Sequence, residues 1–181
     1  GADFSYITGL TKFGIEKIPP LVGRGVLVNM AKYFDIVTME GGQGITRKNI
    51  QEAAKEQNIN FKKGDIILFH TGWTDAKLKS SPEEWGSTIP GITNDAAVYL
   101  ASLQPMAVGA DTWGLGAVPP IAGDMVYYDH VTLIKENGIY ILETMNTGKL
   151  ASDNVSEFMF VLGQPKIKGA VQMIINPVAL W

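Results

Sequence analysis

The chain lacks cysteine altogether and contains only two histidines among its 181 residues. The absence of cysteine excludes disulfides, zinc–thiolate sites, iron–sulfur clusters and thiol nucleophiles. Two histidines are too few for a self-contained, histidine-rich metal centre. No apolar run approaches the roughly 20 residues of a membrane-spanning helix. A metal site could still be built from a histidine, a carboxylate and ligands supplied from outside this sequence.

Charge is also scarce, since charged residues make up 18% of the chain and the net charge is −3. Nothing in this composition favours a nucleic acid or an anionic membrane as a partner. No secretory signal pattern opens the chain, so we expect a cytoplasmic protein. We expect residues 1–181 to form a single domain with an irregular arm over 1–20. Because the first residue is Gly1 and not methionine, we also expect that an amino-terminal segment is missing.

The apolar pattern predicts an α/β fold with a mixed sheet of about six strands and two or three helices. The predicted strands are the apolar runs 26–30, 66–71, 106–111, 139–142, 157–163 and 170–176. Helices are predicted over 47–58 and 94–103, each after a threonine that is a suitable N-cap. Residues 72–91 and 112–127 are predicted to be long loops, which are often functional.

The stretch 129–143 combines one histidine with a carboxylate that interrupts an apolar run. It predicts a helical turn with His130, a tight turn at Asn137-Gly138, and a strand that ends before Glu143. A carboxylate in that position is partly buried, which is costly without a partner. The two side chains could ligate a metal or share a proton. Alternatively, His130 makes a local hydrogen bond and Glu143 forms a surface ion pair.

Other candidate residues follow strands or lie in the predicted loops. Asp111 ends a predicted strand, where functional residues are common in α/β folds, but it could equally begin an Asx-turn. His70 also ends a strand, and we favour a hydrogen-bonded core histidine there. Trp73, Trp85 and Trp113 could line an apolar pocket for a flat substrate, or they could pack the loops onto the core.

Seven segments, taken in order, resemble one known family. They are 23–27 (GRGVL), 63–68 (KGDIIL), 71–73 (TGW), 109–113 (GADTW), 137–143 (NGIYILE), 167–170 (IKGA) and 176–178 (NPV). This series resembles the carboxy-terminal part of the cyclase family of metal-dependent hydrolases, which are related to kynurenine formamidase and isatin hydrolase. The arm 9–20 is similar to the longer members. The resemblance implies a swivelling β/β/α-type domain and assembly as a homo-oligomer.

The resemblance also implies a divalent metal, Zn or Mn, and hydrolysis of an amide-type C–N bond in a small cyclic or N-acylated, aromatic substrate. The family binds its metal mainly through an amino-terminal His-x-Gly-Thr-His-x-Asp motif, which this sequence does not contain. His130 and Glu143 match the family's later histidine–glutamate pair, so they would be the catalytic residues and two of the metal ligands. Asp111, Trp73 and Trp113 would belong to the substrate pocket.

Without the amino-terminal motif, the resemblance leaves two kinds of protein open. In the first, a missing amino-terminal segment or a separate chain supplies the other ligands, and the assembly is an enzyme. In the second, the chain is a catalytically inactive remnant that binds a small molecule or a partner.

Overall fold

The computed structural model describes residues 5–7 and 9–181, and it consists of short strands and helices that alternate along much of the chain. The strands are β1 (Ser5–Tyr6), β2 (Gly9–Leu10), β3 (Leu21–Asn29), β4 (Gly44–Ile45), β5 (Ile66–His70), β6 (Gly91–Ile92), β7 (Ala107–Ala110), β8 (Tyr140–Leu142), β9 (Glu157–Leu162) and β10 (Val178–Leu180). The α-helices are α1 (Met30–Tyr33), α2 (Arg47–Glu56), α3 (Trp73–Lys77), α4 (Pro82–Ser87), α5 (Asn94–Ser102), α6 (Tyr128–His130) and α7 (Gly148–Ser152). A 3-10 turn covers Ile15–Lys17, and a π-helical turn covers Val131–Glu136.

Six of these strands, β3, β5, β7, β8, β9 and β10, form a mixed sheet. This confirms the predicted α/β class and the predicted number of strands. The prediction of two or three helices was too low, because the described residues contain seven α-helical elements, most of them very short. Within residues 5–7 and 9–181, none of the helices has the length and apolar character needed to cross a membrane.

The chain divides into two compact units, one of which is Arg24–Phe158. In this unit β3, β5, β7 and β8 run parallel to one another. All five residues of β5 and all four of β7 are buried, as expected for parallel strands covered on both faces. The strands β7 and β8 approach so closely that a Cβ built on Gly109 would lie 2.4 Å from the backbone oxygen of Leu142. Only glycine fits this position without displacing a backbone.

The two longest helices, α2 and α5, pack over the buried core of this unit. Helix α2 begins with a capping box, in which the Thr46 hydroxyl accepts from the Asn49 backbone and the Asn49 side chain accepts from the Thr46 backbone. Its apolar positions Ile50, Ala53 and Ala54 are buried. This spacing places all three on one helix face, which explains why the helix could be predicted from sequence.

The stretch that carries the predicted histidine–glutamate pair folds largely as expected. Helix α6 ends at His130 and continues into the π-helical turn. The amide of Asn137 donates to the backbone oxygen of Thr132 at 2.7 Å, and Gly138 has φ +64°. This left-handed conformation, which glycine adopts without a Cβ penalty, reverses the chain so that β8 leads directly to Glu143.

The second unit comprises Gly1–Gly23 and Met159–Trp181. Within it β1 pairs with β2, and β10 pairs with β9, both antiparallel. The backbone amide of Leu10 donates to the Gly169 oxygen at 2.8 Å, so a backbone hydrogen bond connects the arm to the carboxy-terminal segment. Part of the predicted arm, residues 1–4 and 8, lies outside the described residues. The assignment of residues 1–181 to a single domain stays a prediction.

Two local predictions were wrong. Residues 170–176 were predicted to form a strand, but the last strand is β10, and the exposed Val171 and Ile174 lie in irregular backbone. An apolar run becomes a strand only when a neighbouring strand is available, and the run itself cannot reveal that. The predicted loop 72–91 contains α3 and α4, and Pro82 is the first residue of α4. Proline there costs no helical hydrogen bond, so it starts the helix and does not break it.

Candidate functional site

The candidate site residues lie where the parallel strands of the Arg24–Phe158 unit end. His70 is the last residue of β5, Asp111 follows β7, and Glu143 follows β8. The register pairs Phe69 with Ala110 and Gly109 with Leu142. The three side chains therefore follow neighbouring strands at one edge of the sheet. The carboxyl edge of a parallel sheet is the usual position of binding sites in α/β proteins.

His130 and Glu143 are brought together, as the sequence predicts. The Nε2 atom of His130 lies 3.5 Å from Oε1 of Glu143, and both side chains are about one third exposed. On the other side of the ring, Nδ1 lies 3.1 Å from Oδ2 of the buried Asp129. The imidazole thus lies between two carboxylates, and Asp129 fixes its orientation.

Asp129 was missed as a site residue in the sequence, although it directly precedes His130. It is 4% exposed, and a Cβ built on Gly116 would lie 3.1 Å from its Oδ1. Glycine at position 116 therefore leaves room for the carboxylate. Tyr127, two residues before Asp129, has a positive φ of 58°. The adjacent pair of an acid and a histidine was the available signal, but a sequence does not show that both side chains point to the same side.

The two carboxylates strongly favour the protonated imidazole. The hydrogen bond with Asp129, followed by that with Glu143, raises the pKa of His130 to about 10 against the opposing effect of burial. In the metal-free protein His130 therefore carries a positive charge at neutral pH.

The same geometry fits two ligands of one divalent metal. Zinc binds histidine nitrogen at about 2.0–2.1 Å and carboxylate oxygen at about 2.0–2.2 Å, so two tetrahedral ligand atoms lie about 3.3–3.5 Å apart. Nε2 of His130 and Oε1 of Glu143 have this separation. A carboxylate on the second ring nitrogen, here Asp129, is the usual outer partner of a metal-binding histidine. Across residues 5–7 and 9–181, this pair included, no group of three or more acidic or histidine side chains is arranged to hold a metal.

Asp111 pairs with His70 and has no hydrogen bond or ion pair with His130 or Glu143 among the described residues. Its Oδ1 accepts from the backbone amide of Thr71 at 2.9 Å and from the Thr71 hydroxyl at 2.7 Å. Its buried Oδ2 accepts no hydrogen bond and lies 3.7 Å from Nδ1 of His70. Burial raises the pKa of Asp111, while His70 and the Thr71 hydrogen bonds oppose this.

The three tryptophans of the predicted loops form one hydrogen-bonded group. The backbone oxygen of Trp85 accepts from the indoles of Trp113 at 2.7 Å and Trp73 at 3.4 Å. The Trp85 indole donates to the hydroxyl of Thr74 at 2.9 Å. Trp73 is only 1% exposed, whereas Trp113 is partly exposed. Of the two tryptophans predicted to line the pocket, Trp113 alone is partly exposed, and Trp73 is buried.

The chain is thus an α/β protein with a histidine–carboxylate pair at the carboxyl edge of its parallel strands. Its family follows from comparison with known proteins. The model of the Cyclase family, described as "Putative cyclase", matches residues 3–117. The chain therefore belongs to the Cyclase family.

Solved structures support the same fold. The crystal structure of a novel cyclase is 28% identical over 96% of this chain and 58% of its own, with a TM-score of 0.84. Isatin hydrolase A from Labrenzia aggregata, bound to benzyl benzoate, is 18% identical over 97% of this chain and 69% of its own, with a TM-score of 0.69. A potential metal-dependent hydrolase with cyclase activity is 21% identical over 97% of this chain and 72% of its own, with a TM-score of 0.66. No curated protein matches the chain significantly.

These comparisons confirm the family and the fold that the sequence resemblance implied. The chain spans 58% of the length of the cyclase and 69% of the length of the isatin hydrolase. The relatives are hydrolases and cyclases by description, and two solved relatives are described as metal-dependent.

Proposed function

We propose that this chain is the carboxy-terminal part of a metal-dependent hydrolase that cleaves the amide-type C–N bond of a small cyclic or N-acylated aromatic compound. The observation that carries the proposal is the 3.5 Å separation of His130 Nε2 and Glu143 Oε1, with Asp129 behind the ring. An ordinary surface ion pair would not need the third, buried carboxylate.

Each residue of the site has a distinct part in this proposal. His130 and Glu143 would hold Zn²⁺ or Mn²⁺ through Nε2 and Oε1, together with ligands from outside the pair. When bound, the metal would lower the pKa of water and polarise the substrate carbonyl. Asp129 keeps the imidazole in the orientation that presents Nε2 to Glu143. The second carboxylate oxygen of Glu143, Oε2, would accept a proton from the attacking water and return it to the departing nitrogen.

The substrate class rests on two supports. Isatin hydrolase shares the fold at a TM-score of 0.69, and isatin is a flat cyclic amide. In this chain the partly exposed ring of Trp113 offers an aromatic surface on the loop that follows Asp111. Its indole nitrogen is already bonded to Trp85, so the ring has a fixed position against which a flat substrate could stack. Asp111, through Thr71, holds the neighbouring loop.

Metal binding to the intact protein, with any segment that precedes Gly1, tests the site directly, because the described residues contain no group of three ligands. Titration calorimetry with ZnCl₂ and with MnCl₂ should show binding that weakens about tenfold or more in His130→Asn and in Glu143→Gln, because each removes a ligand. Asp129→Asn should weaken binding about tenfold, as expected for an outer-shell partner. Glu136→Gln is the matched control, since it removes one exposed carboxylate of the following turn and should leave the affinity unchanged.

Hydrolysis of isatin and of formanilide, followed by absorbance, tests the reaction separately. Unchanged metal affinity in both His130→Asn and Glu143→Gln would contradict the site assignment. Metal binding that depends on both residues, without hydrolysis of either compound by the chain or its longer gene product, would contradict the substrate class. That result would favour the alternative, an inactive binding protein.

A further inference from the structure

A cavity of about 460 Å³ opens at the carboxyl ends of β3 and β5, where Asn29 and His70 are register partners. It shares no lining residue with the pair formed by His130 and Glu143. Its size lies in the range of small-molecule sites. The polar and small residues that matter for its chemistry are Asn29, Lys32, His70, Asp75, Gly148 and Ser152.

The surroundings of His70 favour the tautomer in which its outer ring nitrogen, Nε2, is an acceptor. Nδ1 lies 2.8 Å from Oγ1 of Thr147 and 3.7 Å from Oδ2 of Asp111, a buried oxygen with no other donor. A proton on Nδ1 is favoured because it faces this carboxylate. In the neutral imidazole the lone pair is then on Nε2, for which the described residues provide no hydrogen-bond partner. The cavity wall therefore contains an unused acceptor on a rigidly held ring.

Asp75 adds an unpaired negative charge to the same wall. No hydrogen bond or ion pair in the described part of the chain reaches its carboxylate. A Cβ built on Gly148 would lie 2.2 Å from Oδ2 of Asp75, so the carboxylate lies directly against the backbone at the start of α7. Thr147, which holds His70, immediately precedes this helix. The same short turn thus positions both acceptors.

The lysine of the cavity wall is hydrogen-bonded elsewhere. Nζ of Lys32 donates to Oδ1 of Asn154 at 3.0 Å. In the described residues no hydrogen bond or ion pair joins Lys32 to His70 or Asp75, so neither acceptor has a protein donor. A ligand that satisfies both must bring several N–H donors and a positive charge.

We propose that this cavity is a binding site for a small primary ammonium compound, whose N–H groups donate to Nε2 of His70 and to the carboxylate of Asp75. The apolar body of the ligand packs against the alanine and aliphatic side chains of the cavity. The site does not depend on the hydrolase function proposed above, because it uses neither His130 nor Glu143.

The test uses the 181-residue chain labelled with ¹⁵N-histidine and ethylammonium chloride as the probe. With only two histidines in the chain, the His130→Asn variant assigns the His70 signals. Long-range ¹H–¹⁵N spectra of the ligand-free protein should show the tautomer with the proton on Nδ1. Addition of ethylammonium should shift the Nε2 resonance of His70 saturably, with a dissociation constant in the millimolar range.

Two variants leave His70 and the core intact and separate specific from nonspecific binding. Asp75→Asn should weaken ethylammonium binding about threefold or more, because it removes the counter-charge. Gly148→Ala should do the same, because its methyl group displaces the Asp75 carboxylate. The control Glu83→Gln, an exposed carboxylate of α4 outside the cavity, should leave the dissociation constant within about twofold.

Three results would overturn the proposal. The first is the absence of a saturable shift of the His70 resonance up to about 100 mM ethylammonium, a concentration far above the expected millimolar dissociation constant. The second is an equal response to sodium propionate, a compound of matched size and opposite charge. The third is wild-type affinity in both Asp75→Asn and Gly148→Ala.

Discussion

The charge on His130 can be tested without any metal or substrate. Asp129 and Glu143 raise the pKa of its imidazole to about 10, from an ordinary value of 6.5. A histidine with a raised pKa in the folded protein stabilises the fold fully below pH 6.5. It loses that contribution as the pH rises from 6.5 through about 10. The free energy of unfolding of the wild type, relative to His130→Asn, should therefore fall across this interval.

The magnitude follows from the environment of the ring. One pKa unit corresponds to about 1.4 kcal/mol, so the full shift would be worth several kcal/mol. The side chain of His130 is 36% exposed, however, and solvent screens exposed pairs strongly. We therefore expect the difference between wild type and His130→Asn to shrink by about 1–2 kcal/mol between pH 6.5 and pH 10.

Two measurements on the metal-free chain check this. Titration of the histidine Hε1 resonances in the presence of a chelator gives the pKa of His130, and urea unfolding at several pH values gives the stability difference. Asp129→Asn should lower the pKa of His130 by about one to two pH units, and Glu136→Gln should leave it nearly unchanged. A wild-type pKa at or below 6.5, or a stability difference that does not vary with pH, would refute the reasoning.

Three further substitutions test the fold by urea unfolding. Gly109→Ala should destabilise the protein by about 2–4 kcal/mol because its methyl group meets the backbone of β8. The control Gly86→Ala, with open space around it, should cost nothing. Equal unfolding midpoints for the two variants would contradict the close approach of β7 and β8. Arg24→Met should lower the free energy of unfolding by about 3 kcal/mol. Arg24 pairs at 2.7 Å with the buried Asp65, and the substitution leaves that charge without its ion-pair partner. A loss of stability below about 0.5 kcal/mol would show that the pair behaves like a surface ion pair. Thr46→Ala should cost about 1 kcal/mol through loss of the helix cap, and an unchanged midpoint would exclude that role.

The sequence predicted best those elements that local pattern alone determines. The strands β5 and β7 are continuous apolar runs because both of their faces are covered, and α2 has a cap and a one-sided apolar face. The run 170–176 was misleading because it has no strand partner, and two of its apolar residues, Val171 and Ile174, are exposed in the structure. Helices α3 and α4 are too short for a periodic pattern to show.

The candidate site likewise has residues that the sequence could predict and residues that it could not. The pair formed by His130 and Glu143 could be predicted because a tight turn with Gly138 places its two members at either end of one local stretch. Asp129 could not be assigned, since its role depends on the direction of a buried side chain. The contact of His70 with Thr147 joins residues 77 positions apart. Such a contact leaves no local trace in the sequence, and so the sequence indicated only a hydrogen-bonded core histidine.

The imidazolium between Asp129 and Glu143 also acts as an internal substitute for the cation that the site is proposed to bind. The positive ring prevents the two carboxylates from repelling each other, so the empty site can keep the arrangement that a metal needs. Loading then amounts to an ion exchange, in which a divalent cation enters and the ring proton leaves, and the local charge changes by a single unit. Occupancy would consequently depend on acidity as well as on metal supply, with protons acting as a competing ligand for Nε2.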